Sequence, residues 1–245
     1  MSLHVIIPAR YGSSRFPGKP LVDIGGKPMI QHVMERAARA QGVVSVTVAT
    51  DDQRILRAVE AFGGRALMTP AELRSGSDRV AAAAELMGLG PEEIVVNVQG
   101  DQPLLPPEVI SDTAAPLLDD PQLGMATPVV KITDPAEIPD PTHVKTVMTT
   151  EGDALYFSRL AIPHPRDGEE ITYYKHLGVY LFRKWFLDTF AGLPTSRLEK
   201  IEKLEQLRVL EYGHRLRCVI TTHDSPEVDR PHDAERVARL LQQPD

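Results

Sequence analysis

The chain has 245 residues, of which 42% are hydrophobic and 25% are charged, a balance typical of globular proteins that excludes disordered and fibrous classes. Its 27 Lys and Arg residues against 34 Asp and Glu residues give a formal net charge of −7, which excludes the broad basic surface of a nucleic-acid-binding protein. The chain has one cysteine, no apolar run near the roughly 18–20 residues of a membrane span and no signal-peptide pattern. These features predict a cytoplasmic protein without a membrane partner.

Apolar runs and helical patterns alternate along the first half of the chain. Strand-like runs occupy residues 5–7, 44–49 and 94–98. Between these runs, apolar side chains recur at helical spacing, at Ile30, Val33, Met34 and Ala37 and again at Ile55, Ala58, Val59 and Phe62. Asp51 is the expected N-cap of the second helix, and Gly42 and Gly63 are expected to end the two helices. This alternation predicts an α/β fold with a parallel sheet and helices on both of its faces.

The pattern changes between about residues 128 and 183. Prolines crowd residues 135–141, and strand-like pieces at 144–148 and 178–182 follow without intervening helices. We interpret this segment as an insertion, with antiparallel strands that cover one side of the sheet, within a single domain of residues 1–245.

The last part of the chain returns to the alternating pattern. Ser196 and Glu199 have the spacing of a capping box and predict a helix that continues to about Glu211. The apolar side of this helix would carry Leu198, Ile201, Leu204 and Leu207. A strand is expected at 216–221, and a terminal helix is expected at 234–241.

The loop after the first strand carries the clearest chemical signal. Residues 8–20 read PARYGSSRFPGKP, and the glycines Gly12 and Gly18 allow the backbone to turn sharply and direct its N–H groups at an anion. The same loop holds three cations, Arg10, Arg15 and Lys19. Because ligands of open α/β sheets bind beyond the carboxyl ends of the strands, we predict that this loop binds several phosphates.

Two well-known phosphate motifs do not fit this loop. Five residues rather than four separate Gly12 from Gly18, and Pro20 stands where a Walker P-loop has its magnesium-binding Ser or Thr. The G-x-G-x-x-G dinucleotide pattern is absent as well. The alternative interpretation of the loop is a solvated basic segment without a ligand.

Asp101 ends the most strand-like run of the chain, in the segment QGDQP at 99–103. A carboxylate at a strand end that faces phosphates is a suitable ligand for Mg²⁺, which prefers carboxylates together with substrate phosphates. The alternative is an aspartate that accepts backbone hydrogen bonds in a turn.

Taken together, these segments resemble the CMP-Kdo synthetases, the 3-deoxy-manno-octulosonate (Kdo) cytidylyltransferases. The resemblance begins with residues 8–21 and 96–101, of which the first segment is shared in outline by many sugar-activating nucleotidyltransferases. Further matching segments extend it nearly end to end: ATD at 49–51, SGSDR at 75–79, ALYFSR at 154–159, HLGVY at 176–180, LEQLR at 204–208 and VD at 228–229.

The resemblance implies both a fold and an activity. The fold is a Rossmann-like nucleotide-diphospho-sugar transferase fold, with a mostly parallel central sheet flanked by helices and an inserted β-rich subdomain. The activity is the Mg²⁺-dependent transfer of CMP from CTP to the anomeric hydroxyl of Kdo, which releases pyrophosphate and forms CMP-Kdo for lipopolysaccharide biosynthesis. The family also implies a cytoplasmic homodimer, in which we expect the insertion at about 128–183 to serve dimerisation and sugar binding.

The resemblance also assigns residues to the two substrates. The implied nucleotide-binding residues are Pro8, Ala9, Arg10, Gly12, Ser13, Lys19, Ser75, Arg79 and Asp101. Among them Arg10, Lys19 and Asp101 are the implied catalytic residues, since they would neutralise the triphosphate or hold the metal. The implied metal ligands are Asp101 and Asp229. The implied sugar-binding residues are Gln99, Arg159, His176, Tyr180, Glu205 and Gln206.

Several of these residues have ordinary structural alternatives. Glu205 and Gln206 fall on a helix, where a solvated face is their usual position. His176 could be a hydrogen-bonded structural histidine, Tyr180 a core residue with a satisfied hydroxyl, and Asp229 a helix cap. The chain also departs from the family at three places: Ser77-Asp78 replaces Thr-Glu, Gln102 replaces Glu, and Arg230 and His232 replace residues of a Thr-Pro-Glu-Asp pattern.

Three other functions remain open from the sequence. The nearest is cytidylyl transfer to a related acid sugar, such as sialic acid or the 8-amino relative of Kdo. A regulatory nucleotide-binding module without turnover is a second, although the pair of carboxylates disfavours it. A P-loop kinase is the third, and the failed Walker spacing disfavours it.

Overall fold

The computed structural model describes residues 2–12, 16–73 and 75–241. Its strands are β1 (Leu3–Ala9), β2 (Asp23–Ile24), β3 (Lys27–Pro28), β4 (Val43–Thr50), β5 (Arg65–Met68), β6 (Ile94–Asn97), β7 (Met125–Lys131), β8 (Lys145–Met148), β9 (Ala154–Ser158), β10 (Tyr174–His176), β11 (Tyr180–Arg183) and β12 (Arg217–Thr221). Its α-helices are α1 (Met29–Ala37), α2 (Gln53–Ala61), α3 (Gly76–Leu86), α4 (Pro107–Asp119), α5 (Lys184–Gly192), α6 (Arg197–Glu202), α7 (Gln206–Glu211) and α8 (Pro231–Leu241).

Ten of the strands form one mixed sheet. The order is β5-β4-β1-β6-β11-β7-β10-β8-β9, with β12 paired to β7 outside this path. Strands β5, β4, β1 and β6 are parallel to one another, whereas β11 runs antiparallel to both β6 and β7. The predicted α/β fold with a mostly parallel central sheet flanked by helices is confirmed.

Each face of the sheet has its own apolar core, because successive side chains of a strand point to opposite faces. Ile7 of β1 packs in the core that α1, α2 and α4 cover, together with Val33 and Val109. Its neighbour Ile6 packs in the opposite core, which α3, α5 and α7 cover, together with Val80. Burial on both faces explains why β1 and β6 are nearly continuous apolar runs.

The segment between about 128 and 183 differs from the expectation in one respect. Its strands β8, β9 and β10 pair antiparallel, as predicted. They extend the sheet at its β7 side instead of covering one of its faces, because β10 pairs directly with β7. The strand β9 therefore ends this side of the sheet.

The helix expected from Ser196 to about Glu211 is divided in two. The capping box at Ser196 and Glu199 is confirmed, but α6 ends at Glu202 because Lys203 adopts a left-handed conformation with φ 56°. The break leaves Ile201, an expected core residue, 64% exposed. It also places Glu205 at the start of the separate helix α7.

The N-cap of α2 is Asp52 rather than the predicted Asp51. The Asp52 carboxylate accepts a hydrogen bond from the Arg54 backbone N–H and forms an ion pair with the Arg54 guanidinium. This arrangement lowers the pKa of Asp52 to about 2. Asp51 is turned instead towards Arg79, with 2.7 Å between the Asp51 carboxylate and the guanidinium.

A third, smaller apolar cluster attaches α8 to the loop after β1. It joins Val228, Ala234 and Val237 to Ile24 of the β2–β3 hairpin and Met29 of α1. This packing brings the chain before α8 back to the carboxyl end of the central strands. Within the described ranges, no helix is long and apolar enough to cross a bilayer.

Candidate active site

A cleft of about 300 Å³ opens at the carboxyl ends of β1 and β6. These two strands are neighbours and parallel, so the segments that follow them leave the sheet side by side. Eight of the nine predicted nucleotide-binding residues line the cleft: Pro8, Ala9, Arg10, Gly12, Lys19, Ser75, Arg79 and Asp101. The ninth, Ser13, lies outside the described residues, as does Arg15.

The loop after β1 returns to the cleft through a turn at Gly18. This glycine has φ 73°, and its N–H donates to the Tyr11 carbonyl oxygen. A side chain here would be disfavoured by the positive φ, and its Cβ would lie 3.2 Å from the Tyr11 ring. The turn places Lys19 in the cleft wall opposite the end of β6.

The N-terminus of α3 forms another wall of the cleft. Ser75 caps this helix through a capping box with Asp78, and both Ser75 and Gly76 line the cleft. A helix N-terminus carries partial positive charge and free N–H groups, both of which favour a bound anion. Together with the cations of the β1 loop, this wall gives the cleft the character of a phosphate site.

Lys19 joins the two carboxylates that were predicted to bind the metal. Its Nζ atom lies 2.6 Å from Asp101 Oδ2 and 3.6 Å from Asp229 Oδ1. A backbone hydrogen bond of 2.9 Å from the Val228 N–H to the Asp101 carbonyl oxygen holds the two segments together. Residues 128 positions apart in the sequence are thereby brought to one point of the cleft.

Besides Lys19, the cleft contains two arginines that are already hydrogen-bonded within the protein. Arg79 is fully buried and donates to the Asp51 carboxylate and to the Thr69 hydroxyl, and burial lowers its pKa. Arg10 is on the rim and donates to the Leu73 carbonyl oxygen. Arg79 is therefore a fixed part of the cleft floor.

Four of the six predicted sugar-binding residues lie in a connected group on one side of the sheet. The Tyr180 hydroxyl donates to Gln206 Oε1 at 2.9 Å, and the Tyr180 ring lies 5.2 Å from the His176 ring. Glu205 precedes Gln206 and accepts a hydrogen bond of 2.7 Å from Ser77. The Gln206 side-chain nitrogen is buried and has no hydrogen-bond partner among the described residues, so the group has a donor available.

Burial determines the protonation of His176. The imidazole lies between the Phe157 and Tyr180 rings, and burial lowers its pKa to about 3. Its Nε2 atom is 2.8 Å from the Thr127 hydroxyl, which itself donates to the Val179 carbonyl oxygen. Because a hydroxyl has a single hydrogen, Nε2 is the donor to Thr127. The lowered pKa keeps His176 neutral at neutral pH.

The remaining two predicted sugar-binding residues are placed differently. Gln99 lines the nucleotide cleft beside Asp101. Arg159 lies just beyond β9, where its guanidinium donates to the carbonyl oxygens of Pro141 and Glu202 and to no carboxylate in the described part of the chain. Within the described ranges, no hydrogen bond or ion pair joins Arg159 to the Tyr180–Gln206 group.

A buried lysine supports the surroundings of Arg159. The Lys145 ammonium donates to the carbonyl oxygens of Asp140, His143 and Arg159, at 2.6 to 2.8 Å, and burial lowers its pKa. Lys145 thus connects the turn at 140–143 to the end of β9.

A second cavity, of about 560 Å³, is lined by Asp229, one of the two predicted metal ligands, and by Glu227. His176 and, from this turn, Asp140 and His143 line the same cavity. A predicted metal ligand and a predicted sugar-binding residue thus share one cavity.

Comparison with known proteins decides the family. The sequence profile of the family described as Cytidylyltransferase matches residues 4–216. The chain belongs to the cytidylyltransferase family.

Relatives that resemble this cytidylyltransferase include enzymes with two different names. The 3-deoxy-manno-octulosonate cytidylyltransferase of Desulfatibacillum aliphaticivorans is 57% identical over 98% of this chain and 99% of the relative, and that of Desulfosudis oleivorans is 54% identical over 98% of both chains. The 8-amino-3,8-dideoxy-manno-octulosonate cytidylyltransferase of Shewanella amazonensis is 53% identical over 98% and 99%.

Solved structures agree with this placement. A structure of CMP:2-keto-3-deoxy-manno-octonic acid synthetase complexed with CTP has a TM-score of 0.92, 45% identity and coverage of 98% of both chains. A cytidylyltransferase from Leptospira borgpetersenii, at 14% identity and a TM-score of 0.64 over 97% and 85% of the chains, shares the fold. The resemblance to the Kdo-activating enzymes seen in the sequence is confirmed.

Glu227 is a residue of the cytidylyltransferase site that the sequence did not suggest. Its carboxyl group is close to Asp101 and Asp229, and reduced solvation of the carboxyl group together with the Asp101 charge raises its pKa. It accepts a hydrogen bond of 3.3 Å from Gln102, one of the departures from the family pattern. Its only signal in the sequence is its position two residues before Asp229.

Proposed function

We propose that this cytidylyltransferase transfers CMP from CTP to the anomeric hydroxyl of Kdo, releases pyrophosphate and forms CMP-Kdo for lipopolysaccharide biosynthesis. The observation that carries the proposal is the contact of Lys19 with both Asp101 and Asp229 in the cleft, within a chain so similar to a CMP-Kdo synthetase complexed with CTP. Cation and carboxylates meet where a triphosphate would have to be held.

The nucleotide side of the reaction depends on positioning and charge. The hydroxyl must attack the α-phosphorus in line with the departing pyrophosphate, and such transfers are accelerated mainly by orientation and electrostatic stabilisation. Lys19 and Arg10 would balance the phosphate charge. The backbone of residues 9–12 and the first turn of α3 would supply N–H donors.

We propose Mg²⁺ as the cofactor, held by Asp101 and Asp229. The described residues contain no group of three or more His, Cys, Asp or Glu side chains arranged for a metal ion. Two carboxylates fit the preference of Mg²⁺ for a few protein oxygens completed by substrate phosphates and water. When bound there, Mg²⁺ would neutralise phosphate charge and lower the pKa of a coordinated hydroxyl. No side-chain base is assigned.

The sugar acid would occupy the side of the cleft near Tyr180 and Gln206. Glu205 offers an acceptor for sugar hydroxyls, and the Gln206 nitrogen, which has no hydrogen-bond partner in the described part of the chain, offers a donor. A guanidinium can grip a carboxylate through two parallel hydrogen bonds, the role proposed for Arg159. To take that role, Arg159 would have to exchange a carbonyl contact for the substrate.

A nucleotide and sugar panel tests the proposal. Purified protein with CTP, Mg²⁺ and Kdo should release pyrophosphate, and omission of Kdo is the control. Replacing CTP by ATP, GTP or UTP should lower kcat/KM. Absence of release with CTP and Kdo, under conditions where an authentic Kdo enzyme is active, would contradict the proposal.

The 8-amino relative of Kdo is the second candidate substrate. Several relatives at 52–54% identity bear its name, close to the 54–57% of the Kdo relatives. Because selectivity lies in differential transition-state binding, the deciding quantity is the ratio of kcat/KM for the two sugars in the same assay. A ratio that favours the 8-amino sugar would replace Kdo as the substrate and leave the reaction type unchanged.

We also propose a cytoplasmic homodimer. A cytoplasmic location is supported by the buried free thiol of Cys218, since reducing compartments keep thiols unpaired. The dimer is supported by the edge of the sheet at β9, where Leu155 and Leu160 are 58% and 74% exposed. An exposed apolar sheet edge can pair with another chain. The Glu202 carboxylate accepts hydrogen bonds from the Ser158 hydroxyl and the Arg159 N–H. Its exposed neighbour Ile201 therefore lies near this edge and extends the apolar surface.

Light scattering after size-exclusion chromatography tests the dimer. Wild-type protein should have the mass of two chains, and Leu160→Glu should shift it towards one chain because the charge would be buried at the interface. Leu118→Glu, at an exposed leucine of α4, is the matched control and should remain dimeric. A wild-type mass of one chain would refute the dimer.

A further inference from the structure

A chain of four hydrogen-bonded side chains runs beneath the active-site cleft. Gln99 Nε2 donates to Asn97 Oδ1 at 3.4 Å, Asn97 Nδ2 donates to Ser77 Oγ at 3.1 Å, and Ser77 Oγ donates to Glu205 Oε1 at 2.7 Å. Gln99 and Glu205, at its two ends, are predicted sugar-binding residues. Ser77 and Asn97, in its middle, have no role assigned so far.

The middle of this chain is fully buried. Ser77 and Asn97 both have 0% of their surface exposed, and each uses its polar atoms within the chain. Polar groups in a core cost free energy unless all of them are paired, and apolar residues would fill the same space without that requirement. Burial in the core therefore does not explain why a serine and an asparagine stand at these two positions. Their hydrogen bonds to Gln99 and Glu205 do explain it.

The direction of the hydrogen bonds is set by Glu205. The Ser77 hydroxyl has a single hydrogen, which it gives to Glu205 Oε1, so it must receive its other hydrogen bond from the Asn97 amide. Asn97 in turn presents its oxygen to Gln99. Hydrogen bonds aligned in this way polarise one another in a low-dielectric interior. The orientation of the Gln99 amide is thereby linked to the state of Glu205.

Ser77 also belongs to the first turn of α3, whose residues Ser75 and Gly76 line the nucleotide cleft. The same helical turn thus contacts the predicted nucleotide site on one side and Glu205 on the other. No other element is needed to connect the two.

We propose that Ser77 and Asn97 are positioning residues that hold Glu205 and Gln99 in place for the sugar acid and tie this arrangement to the nucleotide-binding turn of α3. This role rests on the proposed function, because it presupposes that Glu205 and Gln99 contact the sugar. Neither Ser77 nor Asn97 would touch the reacting atoms.

The test is a comparison of Ser77→Ala with Ser77→Thr in steady-state kinetics. Ser77→Ala should raise the KM for Kdo about tenfold, the size of one lost hydrogen bond, with little change in the KM for CTP. Ser77→Thr keeps the hydroxyl and should restore the wild-type KM. Ser111→Ala, in α4 outside the cleft, removes a hydroxyl that donates to the Pro107 carbonyl oxygen and accepts from the Gln41 N–H, and it should leave the KM for Kdo unchanged.

A double-mutant cycle separates positioning from a general loss of stability. If Ser77 acts through Glu205, Ser77→Ala should add little to the defect of Glu205→Gln, whereas independent effects would multiply. Asn97→Ala gives a second route to the same readout if Ser77→Ala does not fold, which thermal unfolding would reveal.

The outcomes of this test differ from those of the proposed function. A wild-type enzyme that forms CMP-Kdo, with an unchanged KM for Kdo in Ser77→Ala or with multiplying effects in the cycle, would overturn the positioning role alone. Wild-type protein that does not use Kdo would refute the proposed function, and this role with it.

Discussion

Lys19 shows how closely single charges are balanced in the cleft. Its ammonium lies between the carboxylates of Asp101 and Asp229, so the three groups together carry one excess negative charge before any substrate is bound. A metal ion or a second cation would neutralise that negative charge, and the phosphates would neutralise the charge of Lys19. Each of the three residues is therefore expected to matter for catalysis more than for folding.

Asp101→Asn tests this expectation at the residue scale. The substitution keeps the size of the side chain and removes the charge, so we expect kcat to fall by on the order of 10²-fold or more, as when other preorganised charge stabilisation is removed. Thermal unfolding should show that the fold is retained. Asp119→Asn, at the exposed end of α4, is the control. Wild-type turnover in Asp101→Asn would exclude Asp101 as a metal ligand.

His176 makes a prediction about stability and pH. Burial lowers its folded-state pKa from 6.5 to about 3, so the native protein binds fewer protons than the unfolded chain between these values. Its contribution to stability is therefore complete above pH about 6.5 and is lost as the pH falls towards about 3.

Urea unfolding of wild-type protein and His176→Gln at several pH values measures this contribution. The difference between their free energies of unfolding should shrink as the pH is lowered from 7 to 4. A difference that is constant over this range would mean that His176 is not protected from protonation in the folded state.

At the scale of elements, the turn at 140–143 and the strand β9 depend on Lys145. One buried ammonium satisfies three carbonyl oxygens there, one of them that of Arg159. The same buried lysine thus stabilises a strand, a turn and a predicted substrate contact. The β8 sequence KTVM gives no indication of this role.

Lys145→Met should reveal that support. The substitution keeps an unbranched side chain and leaves buried carbonyl oxygens without a donor, so we expect a loss of about 1–3 kcal/mol in the free energy of unfolding. Lys131→Met, at the exposed end of β7, should change stability by less than about 0.5 kcal/mol. Equal stabilities of the two variants, measured by urea unfolding, would contradict the assigned role of Lys145.

At the scale of the whole molecule, the sequence predicted what local pattern determines. The β1 and β6 strands, the position of the cation-bearing loop after β1 and the capping box at Ser196 each depend on a few neighbouring residues. Relations across long separations were available only through the family resemblance, such as that of Asp229 to Asp101. The contact of Ser77 with Glu205, 128 positions apart, had no local signal, and the only sign of Glu227 was its position two residues before Asp229.

Local patterns also failed where tertiary structure overrode them. The helical spacing after Ser196 continued past Lys203, but the left-handed residue there broke the helix and placed Glu205 beside Ser77. Asp51 had the pattern of an N-cap, but the buried Arg79 took its carboxylate. Both departures occur next to residues of the predicted site, since Glu205 follows the helix break and Arg79 lines the cleft.

The fate of the α-phosphate is the most direct test of the central claim. With CTP labelled at the α-phosphate, Kdo and Mg²⁺, the label should move into a product with the mass of CMP-Kdo, and label at the γ-phosphate should leave only in pyrophosphate. Transfer of the γ-phosphate to the sugar, or no transfer of the α-phosphate to any acid sugar, would contradict the account.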